Sequence, residues 1–219
     1  MTYSLLGRCA RTGQFGAAVT TSSLAVGSRV PHVGPGIGGV LTQHRTDPRL
    51  GPRGLELLRG GCSAEETLAA LVASTPHHKW RQLAVMDAQG RTAQFDGAAV
   101  KPARAAVHVT DCIAMGNILA NDRVPAAMAQ AFTESANEQL AERLMRAMEA
   151  GEAAGGEGKP VISAALIVME KEIFPLVDLR VDLAPDAITA LRTLWDAYLP
   201  SLREFVTRAV DPDAAPGVI

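Results

Sequence analysis

The alternation of apolar and polar residues divides the chain into strand pairs separated by helices. The strands come in adjacent pairs and do not alternate singly with helices, which favours antiparallel sheets over a doubly wound parallel sheet. A turn containing Gly13 and Gly16 joins the first two strands, as in a hairpin. The predicted strands cover residues 2–7, 17–22, 37–43, 81–87, 91–95, 105–109, 112–115, 161–169 and 176–182.

Helical spacing of apolar residues predicts four helices between these strands. A short helix is expected at 52–59. The second begins at a capping box, in which Ser63 is followed three residues later by Glu66, and it ends before Pro76. A long helix is predicted at 124–150, with Asp122 as its cap, and a final one at 185–210. The sequence therefore predicts a single α+β domain over residues 1–210, followed by a frayed tail at 211–219.

Composition narrows the classes of partner. The formal net charge is −2 and aromatic residues make up 4% of the chain, so neither a nucleic-acid partner nor a membrane partner is expected. No apolar run approaches the ~18–20 residues of a membrane span, and no signal peptide is expected. Cys9, Cys62 and Cys112 are far apart, which favours inert thiols in a reducing cytoplasm.

One familiar motif is present only in form, and two others are absent from the sequence. The segment Gly34–Gly39 satisfies G-x-G-x-x-G, but Val40–Thr42 continues it as a strand where a dinucleotide site needs a helix. A tight turn is the favoured interpretation. No histidine pair has the helical spacing of a zinc hydrolase, and no G-x-S-x-G elbow occurs. We therefore expect no metal and no organic cofactor.

Thr2 is the candidate nucleophile. Methionine aminopeptidases remove the initiator Met when a small residue follows, so the mature chain is expected to begin at Thr2. A terminal Thr carries a hydroxyl and a free α-amine, whose ordinary pKa of about 7.7–8.0 lets much of it act as a base near neutral pH. This pairing is an established way to activate a weak hydroxyl nucleophile. The alternative is an ordinary Thr at the start of an edge strand.

Other polar residues follow the predicted strands. Asn117 lies at a strand exit, where its side-chain amide can donate to an oxyanion or form a turn before the next helix. Arg53 can hold a substrate carboxylate with two hydrogen bonds, although a structural ion pair explains it equally well. Ser22, Ser23 and Gln43 are further candidates for the substrate pocket around Thr2.

Separate motifs along the chain resemble a bacterial family called domain of unknown function 1028. That family is assigned to the N-terminal nucleophile (Ntn) hydrolase superfamily. The matching motifs are Thr2-Tyr3-Ser4, Ala25-Val26-Gly27-Ser28, Thr42-Gln43, Gly51-Pro52-Arg53-Gly54-Leu55-Glu56-Leu57-Leu58, Gly116-Asn117-Ile118-Leu119-Ala120, Ser163-Ala164-Ala165-Leu166 and Asp178-Leu179-Arg180-Val181-Asp182. They occur in order over most of the chain.

The resemblance implies a four-layer αββα sandwich, with two antiparallel sheets between helix layers, and amide-bond hydrolysis by a terminal Thr, Ser or Cys. Thr2 is the position that matches. The hypothesis is thus an amidohydrolase of small amide or peptide-like substrates, in which Thr2 attacks after Met1 is removed. The alternative hypothesis is a non-catalytic ligand-binding or assembly protein that retains the fold.

A homo-oligomer is also expected. The final predicted helix carries an apolar face that exceeds what one core is expected to bury, although an internal core explains most of these positions equally simply. The face comprises Leu191, Leu194, Trp195, Tyr198, Leu202 and Phe205.

Overall fold

The computed structural model describes residues 1–215, which form ten β-strands and six α-helices. The strands are β1 Thr2–Cys9, β2 Gln14–Thr21, β3 Pro31–Gly34, β4 Gly38–Gln43, β5 Gln82–Met86, β6 Thr92–Asp96, β7 Arg104–Val109, β8 Cys112–Asn117, β9 Ser163–Met169 and β10 Val177–Val181. The helices are α1 Leu50–Arg59, α2 Ala64–Ala73, α3 Val124–Glu134, α4 Leu140–Ala153, α5 Ala187–Tyr198 and α6 Leu202–Val210.

The strands form two antiparallel sheets. The larger has the order β10-β9-β2-β1-β8-β7, and the smaller has the order β3-β4-β5-β6. In the larger sheet β1 is central, paired with β2 on one side and β8 on the other. The prediction of a mixed α+β protein with paired antiparallel strands is confirmed.

Three apolar clusters show how these elements are stacked. One, which includes Tyr3, Leu5 and Phe132, lies between the larger sheet and α3, α4 and α5. A second, which includes Leu6 and Leu41, fills the space between the two sheets, and a third packs α1 and α2 onto the smaller sheet. Because side chains alternate along a strand, Tyr3 and Leu5 face the helices while Leu6 faces the other sheet.

The glycine-rich segment is a hairpin turn. Residues before it form β3, a strand that the apolar pattern did not indicate, and Gly34 pairs with Gly38 at the turn. Gly36 and Gly38 have φ of +70° and +117°, and a Cβ on Gly38 would lie 2.0 Å from the Met86 carbonyl oxygen. Glycine is therefore required for the turn itself, in agreement with the predicted tight turn.

Two predicted helices are each broken in the structure. The 124–150 helix consists of α3 and α4, which fold back on each other after Ser135, whose hydroxyl donates to the carbonyls of α3. Arg143 from α4 also donates to the Phe132 carbonyl, so the end of α3 is satisfied from the next helix. Asp122 does not cap α3, since Arg123 occupies the N-cap without a side-chain bond.

The final helix is interrupted near Pro200. Residues 199–201 form a 3₁₀ turn between α5 and α6, because proline lacks the amide hydrogen that a continuous helix needs. Leu191, Trp195 and Leu202 are buried in the core, whereas Leu194 and Phe205 remain about 40% exposed. The predicted tail falls partly on residues 216–219, which lie outside the described residues. No helix within 1–215 has the length and apolar character needed to cross a bilayer.

Candidate functional site

Thr2 lies at the first position of β1, on the face that points toward the smaller sheet. Its strand neighbours on that face are Ser4 and Leu6, and its partner across the ladder is Asn117 at the end of β8. Directly opposed antiparallel residues have Cβ atoms about 4.5–5.5 Å apart. The ends of two neighbouring strands, β1 and β8, therefore bring Thr2 and Asn117 together, although 115 positions separate them in the sequence.

A cavity of about 320 Å³ opens beside Thr2. It is bounded by Ser23 and Arg29 after β2, by His44 and Arg45 after β4, and by Lys101 before β7. Clefts that hold small molecules are typically about 300–1,000 Å³, so this one suits a small ligand. Three of these five residues are cationic.

Met1 is half-buried in this cavity, and its carbonyl is held by two hydroxyl groups. The carbonyl oxygen accepts a hydrogen bond from Thr2 Oγ1 and another, at 2.6 Å, from Thr21 Oγ1. Burial lowers the pKa of the Met1 amine; the Glu157 carboxylate opposes this shift and Lys101 adds to it. An amine at this end of the chain is therefore easier to deprotonate than a solvated one.

Glu157 is a buried carboxylate behind the cavity. Its Oε2 accepts the amide hydrogen of Ser22 at 3.0 Å, and its buried Oε1 has no hydrogen-bond partner among the described residues. Burial raises the pKa of Glu157, against the opposing effects of the bonds from Ser22 and of the terminal amine. The loop that carries it turns sharply, because Gly155, Gly156 and Gly158 all have positive φ.

A chain of buried side-chain amides lies between the sheets below Thr2. Ser4 Oγ donates to Gln43 Oε1 at 2.7 Å, and Gln43 Nε2 donates to Gln82 Oε1 at 2.6 Å. Asn117 Nδ2 also donates to Gln82 Oε1, at 2.9 Å, while Gln82 Nε2 donates to the Gly116 carbonyl. All four side chains are fully buried.

The network fixes which way its amides point. The Gly116 carbonyl can only accept, so Gln82 must direct its Nε2 there and its Oε1 toward Asn117. Asn117 must then donate through Nδ2, which leaves its buried Oδ1 without a partner among residues 1–215. Asn117 thus brings an unpaired acceptor to the position opposite Thr2.

Backbone strain is concentrated around this cavity. Ala25, His44, Arg45 and Ile118 have φ of +50°, +49°, +37° and +53°. Left-handed backbone is unfavourable for residues with a Cβ, and most of all for a β-branched residue such as Ile118. Such residues cluster at functional sites, where the surrounding fold holds them in place.

Some of the predicted site residues lie at the cavity beside Thr2, and others lie away from it. Thr2 and Ser23 line the cavity, and Ser22 lies behind it, with its amide on Glu157 and its Oγ 3.9 Å from Met1 Sδ. Gln43 is fully buried in the amide network. Arg53 is exposed on α1 and borders a different depression with Asp47, Arg49 and His77, so the fold does not bring it to Thr2.

Sequence reasoning missed Glu157, Lys101, Thr21 and Gln82. The only local signal for Glu157 is its position among glycines at 155, 156 and 158, which marks a loop folded tightly against its surroundings. The Gly156 carbonyl accepts from the Ala120 amide, so this loop is tied to the segment that follows Asn117. Lys101 and Gln82 carry no comparable signal.

The hydrogen bonds of His44 indicate a structural role, and the described residues offer no metal site. His44 Nδ1 faces the Trp80 carbonyl at 2.9 Å and therefore carries the hydrogen, which leaves Nε2 to accept from the Lys101 amide at 3.4 Å. Burial lowers the pKa of His44, so the neutral ring is favoured. Within residues 1–215, no group of three His, Cys, Asp or Glu side chains is arranged to hold a metal ion.

Comparison with known proteins identifies the family. The model of the "Family of unknown function (DUF1028)" matches residues 2–191. A crystal structure of a DUF1028 protein from Silicibacter pomeroyi is 32% identical, covering 90% of this chain and 88% of the other, with a TM-score of 0.83. The chain belongs to this family.

More distant structures are also similar in part. Anbu (ancestral beta-subunit) from Yersinia bercovieri is 12% identical with a TM-score of 0.43, covering 99% of each chain. An Anbu (Gly-1) mutant from Hyphomicrobium sp. strain MC1 is 11% identical with a TM-score of 0.44, covering 95% and 97%. A likeness at this level carries no functional weight. No curated protein matches the chain.

Proposed function

We propose that this member of the DUF1028 family is an amidohydrolase of the N-terminal nucleophile type, which cleaves a small amide through Thr2 after Met1 is removed. The observation that carries the proposal is the meeting of three features at the start of β1. The Thr2 hydroxyl borders a cavity of ligand size, the chain's own amino end lies there, and a buried carboxylate acts on that amine.

Removal of Met1 converts an occupied site into an open one. The Thr2 nitrogen becomes a free α-amine within reach of its own Oγ1, and the Met1 carbonyl no longer occupies Thr21 Oγ1. The neighbouring Glu157 and Lys101 act on the pKa of the present terminal amine in opposite directions. The same surroundings tune the new amine, which needs a pKa near the working pH to serve as a base.

The reaction balances without a cofactor. Thr2 Oγ1 forms a bond to the amide carbon as its proton passes to the α-amine, and the carbon–nitrogen bond breaks as that proton reaches the leaving amine. A water molecule then attacks the resulting ester, with the α-amine again taking the proton, and hydrolysis restores Thr2. We assign the oxyanion donors to backbone amides around the cavity; loss of one oxyanion donor costs an enzyme roughly 2.7–4 kcal/mol.

Asn117 supports Thr2 as a positioning residue in this scheme. Its Nδ2 is already engaged by Gln82, so its free Oδ1 is the atom that can accept a hydrogen bond from the Thr2 hydroxyl or amine. The sequence-based expectation that Asn117 donates to an oxyanion stays a prediction, and it would require Nδ2 to leave Gln82. The same amide network keeps Ser4 and Gln43 away from the cavity and fixes the end of β8.

The test combines intact-mass analysis with a small electrophile such as a β-lactone. We expect the purified chain to lack Met1 and to gain one lactone adduct, which peptide mapping assigns to Thr2. Thr2→Ala and Thr2→Ser form a matched pair, because both second residues are small enough for Met1 removal. Thr2→Ser should label, whereas Thr2→Ala should lose labelling by at least about 10³-fold, since the hydroxyl is the nucleophile.

Two results would contradict the proposal. One is a chain that retains Met1 and still reacts or turns over amides. The other is equal labelling of Thr2→Ala and the native chain, with the adduct on a different residue.

A binding protein is the second candidate, and one observation favours it. The Met1 carbonyl is held by both Thr2 and Thr21, so a chain that kept Met1 would have a closed, stable arrangement with no free amine at Thr2. A processed chain that never labels at Thr2, but binds small molecules in the cavity, would support this alternative.

A further inference from the structure

The cavity beside Thr2 is lined by cations that lack a carboxylate partner. Arg29, Arg45 and Lys101 border it, and none of them forms an ion pair with another residue in the range 1–215. The protein as a whole has a formal net charge of −2, so this concentration of positive charge is local. Glu157 lies behind the cavity and is not among the residues that line it, so the charged side chains of the lining are positive and attract small anions.

Arg29 is held in a fixed orientation by neutral acceptors. Its Nη1 donates to the carbonyls of Leu24 and Ala25 at 2.5 and 2.8 Å, and its Nη2 donates to Ser23 Oγ at 2.8 Å. Its Nε has no acceptor among the described residues. The left-handed backbone of Ala25, at φ +50°, supports the turn that supplies these acceptors. The guanidinium is therefore oriented without being neutralised.

The Arg45 guanidinium and the Lys101 backbone are held by the opposite wall. The Arg45 guanidinium lies 4.3 Å from the centre of the Trp80 ring, and the Arg45 carbonyl accepts from Arg81. His44, parallel to the same Trp80 ring at 6.4 Å, accepts the Lys101 amide through Nε2. The strained backbone at His44 and Arg45 is thus part of a built rim rather than a loose loop.

We infer that the substrate of this site is a small amide bearing an anionic group, carboxylate or phosphate, which Arg29, Arg45 and Lys101 bind while Thr2 attacks the amide. Arginine forms paired, charge-assisted hydrogen bonds to such planar or tetrahedral oxyanions, and lysine adds a point charge. A volume of about 320 Å³ limits the molecule to a small metabolite rather than a folded polypeptide. This inference rests on the proposed function, since it names the substrate class of the same site.

Binding of simple probes tests the inference. Succinate, inorganic phosphate and the neutral isostere succinamide are titrated into the Thr2→Ala variant at low ionic strength, with calorimetry and thermal shift as readouts. We expect saturable binding of at least one anion and none of succinamide. The stronger of the two anions identifies the class, carboxylate or phosphate.

Charge-removing variants locate the binding. Arg45→Gln and Lys101→Gln should each weaken anion binding by at least about tenfold, because each removes a positive charge from the rim. Both side chains are exposed, and Arg45 gives up only its contact with the Trp80 ring, so both variants should fold. Arg29→Gln should weaken anion binding likewise, and the two exposed positions keep the test valid if that variant is unstable. Arg59→Gln is the matched control, because Arg59 is an exposed arginine on α1 outside the cavity.

The same variants, made with Thr2 intact, separate this inference from the proposed function. If Thr2 labels with a neutral lactone but anion binding is absent up to about 10 mM, or equal in Arg45→Gln and Arg59→Gln, the anionic substrate class is wrong and the nucleophile stands. Succinamide binding as tightly as succinate would also overturn it. If Thr2 never labels while anion binding depends on Arg45 and Lys101, the anion site stands and the hydrolase does not.

Discussion

Two charged regions of this molecule use arginine in opposite ways. On the outer helical layer, Arg192 donates to Glu142 at 2.7 Å and to Glu149 at 2.8 Å, and Trp195 Nε1 also donates to Glu142 at 2.8 Å. At the cavity, Arg29 is held by carbonyl and hydroxyl oxygens, and Arg45 by the Trp80 ring. The first region neutralises its charges, whereas the second orients its two arginines without pairing them with a carboxylate.

The pKa values of the carboxylates in the two regions shift in opposite directions. Burial works to raise the pKa of Glu142, but the bonds from Arg192, Arg146 and Trp195 outweigh it and lower the pKa. That is the behaviour of groups that stabilise the fold. Glu157 has no ion pair within the described chain, and burial raises its pKa. A buried carboxylate with a raised pKa, close to three cations without ion-pair partners in the described chain, is an arrangement typical of functional sites.

Breaking the paired region should have the larger effect on stability. Arg192→Met removes the cation that joins α5 to α4 and leaves Glu142 and Glu149 half-buried without it. We expect the free energy of unfolding to fall by about 1–3 kcal/mol. At ~2–4 °C per kcal/mol, the midpoint of thermal unfolding drops accordingly.

Labelling of Thr2 by a lactone in the folded Arg192→Met protein should match that of the native chain. Arg59→Gln again serves as the control for loss of an arginine without these contacts. If Arg192→Met is as stable as the native protein, the ion pairs of Arg192 do not stabilise the fold.

A smaller, pH-dependent effect is expected for Glu157→Gln. Because the pKa of Glu157 is raised in the folded chain, the stability linked to its proton is present below its unfolded value of about 4.3 and lost as pH rises through the folded value. Glutamine never ionises and keeps an acceptor for the Ser22 amide. The variant's unfolding midpoint relative to the native chain should therefore be higher at pH 8 than at pH 4.

Lactone labelling of Thr2 should decrease in Glu157→Gln, even at the pH where the variant gains stability relative to the native chain. Without the carboxylate, burial and Lys101 lower the pKa of the terminal amine further and make it a weaker base, so lactone labelling at Thr2 should fall by about tenfold or more. Glu172→Gln, an exposed carboxylate in the β9–β10 loop, is the matched control. If labelling and the unfolding midpoint depend on pH in the same way in Glu157→Gln and Glu172→Gln, Glu157 has no role at the site.

The smallest effect on stability is expected at the cavity itself. Arg45→Gln removes an exposed cation whose contact with Trp80 is worth about 0.5–1 kcal/mol, so the unfolding midpoint should shift by no more than ~2–4 °C. Thermal denaturation of Arg45→Gln and Arg192→Met side by side measures the contrast directly. A larger loss in Arg45→Gln would show that this cation stabilises the fold and that the two regions do not differ.

Local sequence signals foretold most of the architecture. The hairpin periodicity located β1, β2, β5 and β6, and the Ser63 capping box starts α2 as expected. Errors arose where a contact outside the apolar periodicity decides the structure. The long predicted helix breaks after Ser135, where Ser135 and Arg143 donate to the carbonyl end of α3, although the helical spacing of apolar residues continues across that point.

At the site, too, residues marked by a local sequence signal were predicted, and residues brought there by the fold were not. Thr2 and Ser23 line the cavity and Asn117 lies opposite Thr2; each was predicted from a strand boundary or a known chemical pairing. Glu157 and Lys101 were missed because loops bring them to Thr2, and loop residues have no periodicity to read. Arg53 was chosen for its chemistry alone, and its helix lies on the outer side of the smaller sheet.

The unpaired cations also affect how fast a ligand arrives. Electrostatic steering raises encounter rates by roughly 10–10³-fold when a cleft and its ligand have opposite charge. At physiological ionic strength the field of Arg45 and Lys101 extends only about 8 Å, yet both stand at the rim, where an incoming anion meets them first. Anions should therefore enter the cavity faster than neutral or cationic molecules of the same size, before they contact any residue of its interior.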